Sequence, residues 1–94
     1  MILGVYSLRD ALSGFLSPTF ESNDQVAYRN FEHVVLEGGS LLSSHAADYT
    51  LMKIGTFDSE TGQLVSLDPP ETIVNGNSIL LRVISNSRSD KNEV

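Results

Sequence analysis

The sequence contains no cysteine. That excludes a disulfide framework, a thiolate metal site and a cysteine nucleophile, and it suits a reducing compartment. Basic residues are scarce: 6 Lys plus Arg stand against 12 Asp plus Glu, for a net charge of −6. Such a chain cannot coat phosphate backbones by bulk charge. Long apolar runs are also missing. The longest, Ile79–Ile84, is interrupted by Arg82 and falls far short of the roughly 20 residues that span a bilayer. Met1-Ile2-Leu3-Gly4-Val5 carries no basic n-region, so neither a signal peptide nor a membrane partner is expected. There is no Walker-type Gly-Lys-Ser/Thr sequence and no dinucleotide fingerprint, so no cofactor is implied. No internal repeat or heptad run is present.

What is present fits one small domain. A chain of 94 residues buries only about two-thirds of its unfolded surface, so the core is small. A 40% hydrophobic, 19% charged composition is too apolar for a wholly disordered chain. Met1–Leu8 reads as a strand that is apolar on both sides, hence central or covered. Arg9–Glu21 is punctuated by Ser13-Gly14 and Ser17-Pro18 and reads as a long loop anchored by Phe15, Leu16 and Phe20. A helix follows, with Ser22 as cap, Gln25 returning the bond and Asp24 in the first turn. Ala27, Phe31, Val34 and Val35 form its apolar stripe, and Gly38-Gly39 stops it.

Ser40–Asp48 fits a turn plus a short helical segment. Tyr49–Phe57 and Gln63–Leu67 predict a hairpin, closed by a type I turn and a glycine bulge over Asp58–Gly62. Asp68-Pro69-Pro70 is expected to end the second arm. Glu71–Gly76 suits a short helix or strand, and the β-branched residues of Ser78–Ile84 favour a strand. The fold class is therefore α+β: a small antiparallel or mixed sheet of three to four strands with one main helix packed on a face. The domain spans 1–84, and 85–94 reads as a disordered polar tail. That tail is neutral in sum, so 1–84 holds four basic and ten acidic residues. A sheet this small leaves an edge that needs cover, which homodimerisation would supply.

Little of the side-chain chemistry adds up to catalysis or metal binding. His33 and Glu37 share a helix face, but zinc takes three or four protein ligands. Ser43, Ser44, His45 and Asp48 match the residue types of a hydrolytic triad. No Gly-x-Ser-x-Gly elbow accompanies them, and such local clusters ordinarily serve as turns and caps. No catalytic residue and no metal ligand is assigned. For nucleic acid, the folded part offers Arg9, Arg29, Lys53 and Arg82, with Tyr6, Tyr28 and Tyr49 as stackers.

The ordered segments Val5-Tyr6-Ser7-Leu8-Arg9-Asp10, Gly14-Phe15-Leu16-Ser17-Pro18-Thr19-Phe20, Arg29-Asn30-Phe31-Glu32, His45-Ala46-Ala47-Asp48-Tyr49, Ile54-Gly55-Thr56-Phe57-Asp58 and Thr61-Gly62 belong together. As a set they resemble the small nonstructural protein of the gokushoviruses, single-stranded DNA phages of the Microviridae. The resemblance covers about residues 2–70. It implies a non-enzymatic accessory protein, absent from the mature capsid and acting in the host cell cytoplasm. Its stage would be viral DNA synthesis or packaging, with single-stranded viral DNA as partner. The alternative is an acidic, dimeric regulator that binds a basic replication or packaging protein and makes no DNA contact. On either view the contact residues are Arg9, Tyr28, Arg29, His45, Tyr49 and Lys53. The rival role for Arg9, Asp10, Arg29 and Asp48 is an internal ion-pair network. Phe20, Phe31, Ile54 and Phe57 are expected in the core.

Overall fold

A computed structural model describes the backbone of residues 1–92 and the side chains of residues 1–86. Strand β1, Ile2–Asp10, is central. Its apolar character on both faces calls for that position. One edge of β1 pairs antiparallel with two short strands, β2 (Gly14–Phe15) and β3 (Thr19–Glu21). The segment expected as a loop thus folds back onto β1. Ser7 Oγ donates to the Leu16 carbonyl at 2.6 Å and Leu16 N donates to the Leu8 carbonyl at 2.8 Å, which ties down the chain between the two strands.

Helix α1 runs Asp24–Glu37. Its cap is Asn23, one residue later than expected. Asn23 is extended and its Oδ1 accepts from Val26 N at 2.9 Å. Asparagine caps at least as well as serine, and the shift removes the return bond expected from Gln25. Ala27, Phe31 and Val35 are buried along the apolar stripe, with Val34 half-buried. Gly38 ends the helix at φ 79°, a left-handed value that a side chain would resist. A short helix α2, Leu41–Ser44, is capped by Ser40 Oγ and leads into a 3-10 turn at Ala46–Asp48.

The hairpin is present as read, but longer. Strand β4 is Tyr49–Asp58 and strand β5 is Leu64–Asn75. In the turn, the Asp58 carboxylate accepts from the amides of Glu60 (2.9 Å) and Thr61 (3.4 Å), and Gly62 N donates to the Asp58 carbonyl at 2.7 Å. Asp68-Pro69-Pro70 does not end the second arm. Residues 67–70 bulge opposite Ile54, since Lys53 pairs with Glu71 and Gly55 with Ser66. β5 is the edge of the sheet, where proline costs no ladder bond. The antiparallel sheet runs β2-β1-β4-β5, with β3 beside β2 on β1, so it has five strands rather than three to four.

The largest departure from expectation is α3, Gly76–Asn92. A strand is expected at Ser78–Ile84, but the backbone there is helical, and the helix runs on to Asn92. Of the polar tail read at 85–94, residues 93 and 94 lie outside the described residues. The fold therefore has two main helices. Asn75 starts the second one: its Oδ1 accepts from Asn77 N at 2.9 Å, and its Nδ2 donates to the Ala47 carbonyl and Thr50 Oγ1, both at 3.0 Å. Ile79 then enters the core beside Tyr6, Ala27, Phe31, Val35, Ala46, Tyr49 and Leu51. Of the expected core residues Phe31 is buried, Ile54 and Phe57 are half-buried, and Phe20 is exposed. Tyr6 and Tyr49 stand in the core.

Candidate nucleic-acid interface

Directly opposed residues in neighbouring strands point to the same side, and residues alternate sides along a strand. That sorts the sheet into two faces. Tyr6 and Leu8 of β1 face α1, and Tyr6 heads the core. Leu3, Val5, Ser7 and Arg9 face away. Opposite them stand Phe57, Gly55, Met52 and Thr50 of β4, with Phe20 beside Val5 and Phe15 beside Arg9. β5 extends this face with Leu64, Ser66, Thr72 and Asn75. Side-chain contacts agree with the register. The Phe20 and Phe57 rings meet edge to face at 5.3 Å, Thr72 Oγ1 lies 3.4 Å from Met52 Sδ, and Asn75 Nδ2 lies 3.0 Å from Thr50 Oγ1.

This helix-free face holds no carboxylate among its paired residues, and Arg9 is its one charge. Phe15 and Phe20 are 49% and 48% exposed, and Phe57 is half-buried. Asp10, Glu21, Lys53 and Glu71 pair on the side of α1. The carboxylates that pair within the sheet thus stand on the side of α1.

On the helix side, Tyr6 donates its phenolic hydrogen to Asp24 Oδ1, and Lys53 Nζ lies 3.2 Å from the same oxygen. Lys53 Nζ also sits 5.9 Å from the Tyr6 ring centroid. Burial, and then the bond to Asp24, push the Tyr6 phenol well above its usual range. The Tyr6 hydrogen bond and the Lys53 ammonium hold the Asp24 carboxyl below the usual carboxylate range. A cleft of about 530 Å³ opens beside this cluster, lined in part by Ile2, Ser22, Gln25 and Thr56. A more apolar cleft of about 410 Å³ lies under the Leu16–Glu21 segment, against Phe31, Val34, Leu42 and Leu51.

The six residues singled out from the sequence are not brought together. Arg9 is exposed on the helix-free face. Tyr49 is buried in the core, where it cannot stack on a base; burial, with the charges of Asp10 and Asp48, raises its phenol. Lys53 is held by Asp24. Tyr28 is covered by Arg82, whose guanidinium lies 5.8 Å from the ring centroid and donates to the Tyr28 hydroxyl. Arg29 is exposed on α1 and His45 is exposed after α2. His45 Nδ1 meets Ser44 Oγ at 2.9 Å, but neither residue lines either cleft, and among the described residues no hydrogen bond joins the Asp48 carboxylate to His45. The ion-pair network of Arg9, Asp10, Arg29 and Asp48 does not form among the described residues. Asp10 instead accepts from Leu12 N at 2.9 Å and Ser13 Oγ at 3.0 Å, closing the turn after β1.

A family model described as phage ORF5 protein matches residues 3–79. The chain belongs to the phage ORF5 protein family. No curated protein and no solved structure matches the chain. The ORF5 match begins in β1 and ends at Ile79, so it takes in every strand, α1 and the buried turn of α3 that completes the core. This is therefore a bacteriophage protein, and no helix of its described residues is long and apolar enough to cross a membrane. The residues that sequence reasoning missed are Phe15, Phe20 and Phe57 as surface groups. No periodicity marked Phe15 or Phe20 as exposed, because β2 and β3 hold only two and three residues.

Proposed function

We propose that this ORF5 protein is a non-enzymatic accessory protein that binds single-stranded viral DNA across the helix-free face of its sheet. The observation that carries this reading is the face itself: three phenylalanines and Arg9, with no carboxylate among the paired residues. Exposed aromatic rings on a sheet stack bases without sequence preference. Arg9, opposite Phe15, stands where a backbone phosphate would pass. The −6 charge does not oppose this as strongly as its size suggests. The carboxylates paired in the sheet act from its other side, and exposed charges are screened within about 8 Å at physiological salt.

The resemblance to gokushovirus nonstructural proteins adds the setting: viral DNA synthesis or packaging in the host cell cytoplasm. The test is fluorescence anisotropy of a labelled thymidine oligonucleotide over a salt series. Stacking-led binding with one phosphate contact per chain predicts a shallow slope, about −0.7 in log affinity per log salt. Absence of binding at low salt by folded protein overturns the reading. In that case the carboxylates on the side of α1 favour the second reading, a basic replication or packaging protein as partner.

A further inference from the structure

We propose that a second copy of the chain pairs with the outer edge of β5, antiparallel, about a two-fold axis through Val65. Among the described residues β4 is the only strand paired with β5, so the other edge of β5 presents unused backbone donors and acceptors. Natural edge strands blunt such a ladder with lysine, proline, bulges or inward-pointing charge. β5 does so only in its middle, where residues 67–70 bulge and Pro69-Pro70 remove two donors. Over Leu64–Leu67 it has no charge and no proline, and Leu64 and Val65 are 63% and 49% exposed.

The occupant follows from symmetry. When two identical strands pair antiparallel about a two-fold axis, the axis stands perpendicular to the sheet and some residue opposes its own copy. Centred on Val65, the pairing sets Val65 against Val65, Leu64 against Ser66 and Gln63 against Leu67. No charges oppose each other. Centred one residue later, it would set Leu64 against Asp68 and draw Pro69 into the ladder. Centred one residue earlier, it would set Ser66 against Gly62 of the turn, outside β5, so the Val65 centre keeps the most of Leu64–Ser66 in the ladder.

A perpendicular two-fold axis also keeps both helix-free faces on the same side, so the two sheets join into one broad surface. The contact is short for a stable dimer, which normally buries at least about 1,200 Å². Dissociation on dilution is expected.

The test uses the absence of cysteine. Val65→Cys gives one thiol per chain, beside its own copy in the dimer, where a short bismaleimide reaches both. Glu37→Cys, exposed at the end of α1, is the control. Expected are efficient cross-linking of the first variant and little of the second. Sedimentation of the unaltered protein without DNA should give a mass that doubles with concentration. Val65→Lys should abolish the doubling while far-UV circular dichroism stays unchanged. If that variant unfolds, the cross-linking decides. A mass that stays that of one chain at high concentration, or cross-linking of Val65→Cys no better than the control, overturns the proposal. None of these measurements involves DNA, so their failure is distinct from failure of the DNA reading.

Discussion

Tyr6, on the central strand, donates its hydroxyl hydrogen to the carboxylate of Asp24 in the first turn of α1. The bond joins the sheet to the helix at the end where the helix dipole favours negative charge. Lys53, directly opposite Tyr6 in β4, supports the same carboxylate from the other side. One contact thereby links three elements that the sequence separates widely.

This contact makes stability pH-dependent at both ends. The Asp24 carboxyl is depressed by Tyr6 and Lys53, so near its unfolded value, about 3.9, the unfolded chain holds more protons. Its contribution is present above that value and is lost as pH falls through the lower, folded-state value. The Tyr6 phenol is raised, so above about pH 10 the unfolded chain releases its proton first and stability falls. Thermal melts over pH should show both limbs. Asp24→Asn should flatten the acid limb and Tyr6→Phe should reduce the alkaline one. An unchanged acid limb in Asp24→Asn would show that the contact contributes nothing to folding.

Gly76 has no room for a side chain. A Cβ there would run into the Ala46 carbonyl oxygen, with the Ala46 carbonyl carbon at 3.0 Å and Cα at 3.1 Å. All three atoms are backbone, so Gly76→Ala must shift the start of α3 or the 3-10 turn. Overpacking of this kind costs roughly 1–3 kcal/mol. In a domain this size each kcal/mol lowers Tm by about 4–8 °C, which calorimetry would resolve.

Ile79 and Leu81 mark the packed and the exposed sides of α3. Ile79 is almost fully buried and Leu81 is 56% exposed. Ile79→Ala should cost about 2–5 kcal/mol in urea unfolding. Leu81→Ala should stay within about 0.5 kcal/mol. Equal effects would contradict the packing of α3.

On the proposed DNA face, Phe20→Ala should weaken oligonucleotide binding by the loss of one base stack. Stacking is worth roughly 1–3 kcal/mol, or about five- to 150-fold in affinity. Arg9→Ala should remove most of the salt slope. Tyr28→Ala, on the other side of the sheet, should leave the affinity unchanged. Anisotropy titrations measure all three, and equal losses in Phe20→Ala and Tyr28→Ala would place the DNA elsewhere.

Much of the frame was legible because it is encoded locally. The stripe Ala27, Phe31, Val35 repeats with the helix period, and Gly38-Gly39 stops it. Asp58-Ser59-Glu60-Thr61-Gly62 holds its turn through its own backbone and carboxylate. Helix α3 was not legible. Ile79, Val83 and Ile84 carry a strand's preference, and only the cap at Asn75 and the burial of Ile79 against α1 and the 3-10 turn override it. β2 and β3 are too short for a period to show, and they exist only as partners of β1.

The candidate site was mostly hidden for a related reason. Sequence chemistry favours tyrosines and cations as contact residues, yet here Tyr6 and Tyr49 fill a core too small to do without them. Lys53 and Arg82 are engaged within the chain. Which aromatics remain outside depends on the facing of each strand, and a one-residue change of register reverses it.

The central place of β1 also sets the order of folding. β1 precedes the other strands described, yet its long partner is β4, and Ile2 pairs with Asp58. Helix α1 and the β4–β5 turn close over short stretches of chain and can form early. The sheet must wait until distant segments meet, and the entropy of closing so large a loop is lost before any pairing repays it. Chains dominated by such distant pairings fold in about milliseconds to seconds rather than microseconds. Until β4 arrives, β1 is an apolar strand with one edge open, so this short interval is when the protein is most exposed to aggregation.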